Sequence, residues 1–116
     1  MKATKKSTYV QFCKHMEELL KEHGAIKSDT LSYDWSMETP FGECLISIDD
    51  LYRSGLAVYC RFINEEKRKL VDTDHPFGMN PFSGKFNFHF GYVEESEAES
   101  CANKVFQGIK NGYKFI

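Results

Sequence analysis

The apolar residues of this chain change period twice, and few folds accept that pattern. Residues 8–23, "TYVQFCKHMEELLKEH", set Tyr9, Phe12, Met16, Leu19 and Leu20 at the spacing of one helix face, and Gly24 stands where a helix stops. Residues 96–110 repeat the pattern with Ala98, Cys101, Ala102, Val105, Phe106 and Ile109, while Ser96 and Glu99 have the spacing of a capping box. Between these segments the period falls to two. Leu31, Tyr33, Trp35 and Met37 alternate with polar residues, as do Cys44, Ile46 and Ile48, then Leu56, Val58, Cys60 and Phe62, and finally Phe86, Phe88, Phe90 and Tyr92.

Helix, four strands and helix make an α+β chain, with the order α-β-β-β-β-α. The strands are joined by short or medium connections, which favours an antiparallel meander. Two amphipathic helices cover one face of such a sheet most cheaply. The expected architecture is therefore a two-layer sandwich with the N- and C-terminal helices on one face, and 116 residues suit a single domain with one core. The longest connection runs from Asn64 to Gly84, and "NEEKRKLVD" within it has the composition to form a short helix of its own.

Charge and cysteine usage narrow the function classes. Fifteen Lys and Arg against seventeen Asp and Glu leave a net charge of -2, a field that does not draw in a phosphate backbone. The basic triplets Lys2, Lys5, Lys6 and Lys67, Arg68, Lys69 read as solvated surface. Cys13, Cys44, Cys60 and Cys101 contain no CxxC pair, and each falls at an apolar position, so reduced, metal-free thiols in a cytoplasm are expected. No apolar run is long enough to span a bilayer, and the start "MKATKKSTYV" lacks the core of an export signal, so no membrane association is expected.

The motifs that would mark common chemistries fall short. Gly78 to Lys85 resembles a phosphate loop, but its glycines are one residue too far apart and Phe86 stands where Ser or Thr would bind magnesium. "DTDH", Asp72 to His75, has oxygen and nitrogen ligands without a second helical His, and no metal or cofactor is expected. Period two separates Cys60 from His89 onto opposite faces, so they make no nucleophile pair. His15 and His23 fall on the polar stripe of the first helix, and "NPF" at Asn80 reads as the opening of a turn.

If Phe86, Phe88 and Phe90 pack beneath the helices, parity displays Lys85, Asn87 and His89 on the opposite face. The same rule puts Tyr59 and Arg61 of the third strand there, and Asp34 of the first. Tyr59, Arg61, Lys85, Asn87, His89 and Asp34 form the candidate partner-binding surface. An antiparallel sheet with one wet face always shows polar alternation, but here two cations, an imidazole and a tyrosine stand together.

The segments "TPFGECLISID", "AVYCRF" and "NPFSGKFNFHFG" carry a resemblance to a group of small bacterial and phage proteins. That group shows a "TP.G.L.I" segment, a strand ending in "CRF" and an "NP(Y/F)SGK(W/F)NFH" segment. Asn80, Pro81, Ser83, Gly84, Lys85, Asn87 and His89 match the last pattern, with Phe82 and Phe86 at its aromatic positions. The resemblance implies a phage, prophage or mobile-element setting and carries no activity with it. In that setting the expectation is a non-enzymatic accessory protein that binds a host or phage protein, with a homodimer as an extension. The alternative is a single-stranded nucleic-acid binder on the same face, which the net charge opposes. A third reading makes His89 a general acid or base beside Arg61 and Lys85.

Overall fold

The computed structural model describes residues 5–51, 55–71 and 78–112. Helix α1 (Lys6–Glu22) leads into strands β1 (Ile26–Lys27), β2 (Trp35–Thr39), β3 (Gly42–Leu51), β4 (Gly55–Phe62) and β5 (Lys85–Phe90), and helix α2 (Ala98–Asn111) follows. All neighbouring strands are antiparallel and lie in chain order, so among the described residues the sheet is a five-stranded meander.

The helices form where apolar spacing and local bonds agree. In α1, Thr8, Phe12, Met16 and Leu20 are buried at four-residue intervals, and Lys21 pairs with Glu17 at 2.8 Å on the wet side. The start of α2 differs from expectation. A 3-10 turn over Glu95–Glu97 precedes it, and the capping box is made by Glu94 and Glu97 rather than Ser96 and Glu99. The Glu94 N–H donates to Glu97 Oε1 at 3.1 Å.

The inward residues of the sheet, Trp35, Met37, Cys44, Ile46, Val58, Cys60, Phe62, Phe86 and Phe88, join Phe12, Met16 and Leu20 of α1 and Ala102, Val105, Phe106 and Ile109 of α2 in one core. Both helices therefore cover the same face. Phe12 meets Phe90 edge-on at 6.4 Å between ring centres, and Phe62 lies 4.8 Å from Phe86. His23 is not simply solvated: its ring stands 4.5 Å from that of Phe106, and Nδ1 lies 3.0 Å from the Leu19 carbonyl oxygen.

The sheet has five strands where four were expected. The addition is β1, whose Ile26 and Lys27 pair with Ser36 and Trp35. The strand expected from Leu31 instead begins at Trp35, and Leu31 is fully exposed. The hydroxyls of Ser28, Thr30 and Ser32 bond to one another at 3.0 and 2.9 Å, holding a turn that competes with strand pairing. At the far end β5 stops at Phe90, leaving Tyr92 outside the strand. Gly55 and Gly91 meet there so closely that a Cβ on Gly55 would stand 2.0 Å from the Gly91 carbonyl oxygen.

None of the four cysteines is in a disulfide, and Cys44, Cys60 and Cys101 are buried. Burial pushes the Cys60 thiol well up, with Cys44 beside it adding to the effect, and burial followed by the Glu97 carboxylate raises Cys101. A thiol raised on folding contributes its full stability below the unfolded pKa of about 8.5 and loses it as pH climbs toward the folded value. Stability is thus expected to hold through neutral pH and to fall above about pH 8.5, with a shallower fall in Cys60→Val, as denaturant melts at stepped pH will read.

Phe88 is 7% exposed and sits between the layers. Replacing it with Ala is expected to cost about 3 to 5 kcal/mol in urea unfolding, and a loss under about 1 kcal/mol would contradict the packing described.

Candidate functional site

The face away from the helices is organised in cross-strand rows. Leu45, Arg61 and Lys85 are direct neighbours across β3, β4 and β5, as are Ser47, Tyr59 and Asn87, and then Asp49, Ala57 and His89. Side chains in such rows stand about 5 Å apart. The rows bring together a guanidinium, an ammonium, an amide, a phenol and a hydroxyl.

The first two rows floor a groove of about 710 Å³. Leu45, Ser47, Tyr59, Arg61, Lys85 and Asn87 line its base, Ser32 and Tyr33 one wall, and Gly78 the other. Four of the six residues singled out from sequence, Tyr59, Arg61, Lys85 and Asn87, therefore meet in one concave site. His89 lies on the same face one row further along and does not line the groove.

Asp34 is spent elsewhere. Its Oδ2 accepts the Ile48 N–H at 2.8 Å, which ties the start of β2 to β3. Ser47, Leu45 and Tyr33 enter the site without having been singled out. Ser47 and Leu45 were accessible to the parity rule once Cys44, Ile46 and Ile48 were read as inward. Tyr33 was assigned inward because its alternation runs on into Trp35, whereas the turn before β2 moves it to the groove wall.

One end of the groove is fixed by two arginines. Arg68, expected among solvated cations, is 7% exposed. It is drawn inward because two backbone carbonyls wait for it: Nη1 donates to Phe62 O at 3.1 Å and Nη2 to Phe82 O at 3.0 Å. Its backbone belongs to a 3-10 turn over Lys67–Leu70, the short helix expected inside the long connection. Arg61 approaches from the groove side, and its Nε donates to Ser83 O at 2.9 Å.

Between them, Asn80 organises the turn that reaches β5. Its Oδ1 accepts the Phe82 N–H at 2.8 Å, its carbonyl accepts the Gly84 N–H at 2.7 Å, and its own N–H donates to Lys85 O at 2.8 Å. Gly84 has φ +74, and a Cβ there would fall 2.1 Å from Phe62 O and 2.9 Å from Arg68 Nη1. The apex carries Phe82, 91% exposed. Phe82 therefore joins Lys85, Asn87 and His89 as a side chain presented outward, which the reading of "NPFSG" as turn alone did not include.

Among the described residues, ion pairs join Lys21 to Glu17 and Lys69 to Glu66, and neither involves a groove cation. Arg61 and Lys85 thus face the groove without a carboxylate partner among the described residues, in a chain of net charge -2. Among the described residues no three His, Cys, Asp or Glu side chains stand close enough to hold a metal ion, and no helix is long and apolar enough to cross a membrane. The "DTDH" segment, Asp72 to His75, and Lys2 lie outside the described residues. Comparison with protein-family models, with curated proteins and with solved structures gives no match to this chain.

Gly84→Ala is expected to destabilise the fold by about 1 to 3 kcal/mol, through strain at positive φ and displacement of the Arg68 fork. Chemical denaturation measures it, and a neutral outcome would contradict the contact with Phe62 O.

Proposed function

We propose that this chain is a non-catalytic binding protein that docks a partner protein on the open face of its sheet, with Tyr59, Arg61, Lys85 and Asn87 as the central contacts. The observation that carries this reading is the pair of cations without carboxylate partners among the described residues, set beside an exposed tyrosine in a groove whose end is anchored by Arg68 and Arg61. A surface prepared in this way loses little freedom on binding. The resemblance in "CRF" and "NPFSGKFNFH" supports a phage or mobile-element setting, in which the partner is a host or phage protein met in the host cytoplasm.

Single-stranded nucleic acid is the second reading, favoured by Tyr59 and Tyr33 lying in the same groove as Arg61 and Lys85. It is opposed by the net charge of -2 and by Glu38, Glu43 and Asp49 in the neighbouring strand positions. Salt titration separates the two, since phosphate contacts weaken steeply as salt rises.

Affinity capture from host-cell extract, followed by titration of the captured protein, tests the proposal. Tyr59→Ala and Lys85→Ala are each expected to cost about 2 kcal/mol of binding while shifting stability by about 0.5 kcal/mol or less. Arg61→Ala is expected to lose binding and also about 1 kcal/mol of stability, because its Nε holds the turn. Undiminished capture by all three variants would return the face to an ordinary solvated sheet surface.

A further inference from the structure

Among the described residues the sheet ends on β5, and alternate residues of that strand aim their backbone groups outward. Phe62 N–H donates to Gly84 O at 2.9 Å, which marks this pair as one whose backbone groups face each other. Such pairs recur at every second residue of an antiparallel ladder. Phe86, Phe88 and Phe90 therefore turn their N–H and C=O groups toward β4, and Lys85, Asn87 and His89 turn theirs away from it. Lys85 is already satisfied on that side by Asn80 N–H and by Ser83 Oγ. Among the described residues nothing pairs with the outward N–H and C=O groups of Asn87 and His89. Both residues are exposed.

An open edge accepts another strand through main-chain bonds, and the side chains beside it select which strand. A strand laid along β5 starts beyond Lys85, whose outward groups are taken, and would place alternate residues on the open face opposite Asn87 and His89. Lys85 has no carboxylate partner among the described residues, and Arg61 stands in the next position of the same row. An acidic side chain opposite Asn87 stands diagonal to Lys85, within reach of its long side chain, and adds the missing negative charge beside the row. The intervening residues would fall on the side of Phe86 and Phe88, where apolar side chains fit. A second copy of this chain fits less well. Two β5 strands paired about Asn87 would each need the position beside Lys85 that Asn80 and Ser83 already fill, and neither strand brings an acid to the other's lysine.

We infer that the open edge of β5 captures an extended segment of the partner protein in which acidic residues alternate with apolar ones, adding a sixth strand to the sheet. This rests on the protein-docking reading above and names the part of the partner that enters the site. The edge supplies the main-chain bonds, and Lys85 and Arg61 supply the sequence preference. Oligonucleotides lack a backbone that could complete the ladder.

Selection on the wild-type protein from a displayed library of random dodecapeptides, followed by polarisation titration of the fluorescein-labelled winner, tests this directly. Winners should alternate acidic with apolar residues and should slow hydrogen exchange at the Asn87 and His89 amides. Asn87→Pro removes only an outward N–H, which an edge strand tolerates, and should weaken the peptide at least tenfold at unchanged melting temperature. Lys85→Glu should weaken it as much and should strengthen binding of a peptide whose acids are replaced by lysine. Should Asn87→Pro fail to fold, exchange at the two amides in the wild type carries the same decision.

Loss of binding in Tyr59→Ala and Lys85→Glu with full binding in Asn87→Pro would overturn strand addition and leave docking on the face intact. Indifference of all three variants would overturn both. A library without binders, protection of the two amides by oligothymidylate, or their protection in a peptide-free dimer would each overturn the inference.

Discussion

The guanidinium of Arg68 is the contact on which the open face depends. A buried cation is costly unless its donors are met, and here one fork spans two carbonyls that are distant in sequence, Phe62 O at the end of β4 and Phe82 O in the turn before β5. The long connection between the strands is thereby closed at its base. Gly84 is the condition for that closure, because any Cβ would displace either the Phe62 carbonyl or the fork itself. With the turn held, Lys85 enters β5 in register with Arg61, and the groove gains a fixed end.

Arg61 belongs to both halves of this arrangement. Its Nε fixes Ser83 from the wet side while Arg68 fixes Phe82 from the buried side, so the turn is held from two directions. That double anchoring keeps Phe82 exposed at the apex against the ordinary tendency of a phenyl ring to fold down onto apolar neighbours. Asn87 and His89 have no such role in the turn, and their outward backbone groups are unpaired among the described residues. Structure-holding groups and open backbone groups thus lie side by side along one short segment, residues 80 to 90.

Much of this was legible in the sequence wherever periodicity alone decides. The two helices, the alternation of Phe86 and Phe88 against Lys85 and Asn87, and the antiparallel order all follow from spacing. What spacing could not carry was competition between bonds of different kinds. Leu31 and Tyr33 continue the apolar alternation of β2, yet serine and threonine hydroxyls hold that segment in a turn. Arg68 sits in a run of three basic residues with nothing local to separate it from Lys67 and Lys69, because its partners lie in other segments. Asp34 has the parity of a site residue but is engaged by a backbone N–H of β3, a tertiary bond that no pattern of apolar residues records. Ser47 and Leu45 were within reach of the same parity argument that found Tyr59.

Amide hydrogen exchange at Gly84 and Phe62 tests this account most directly. The Gly84 N–H is bonded to Asn80 O and the Phe62 N–H to Gly84 O, so both report whether the turn is closed. In the wild type both should exchange only through openings close in free energy to global unfolding. In Arg68→Met both should exchange by local opening while Val58 and Phe88 in the strands keep their protection. Wild-type exchange at Gly84 as fast as in an unstructured peptide, or equal protection with and without Arg68, would contradict the claim that this buried cation holds the open face in place.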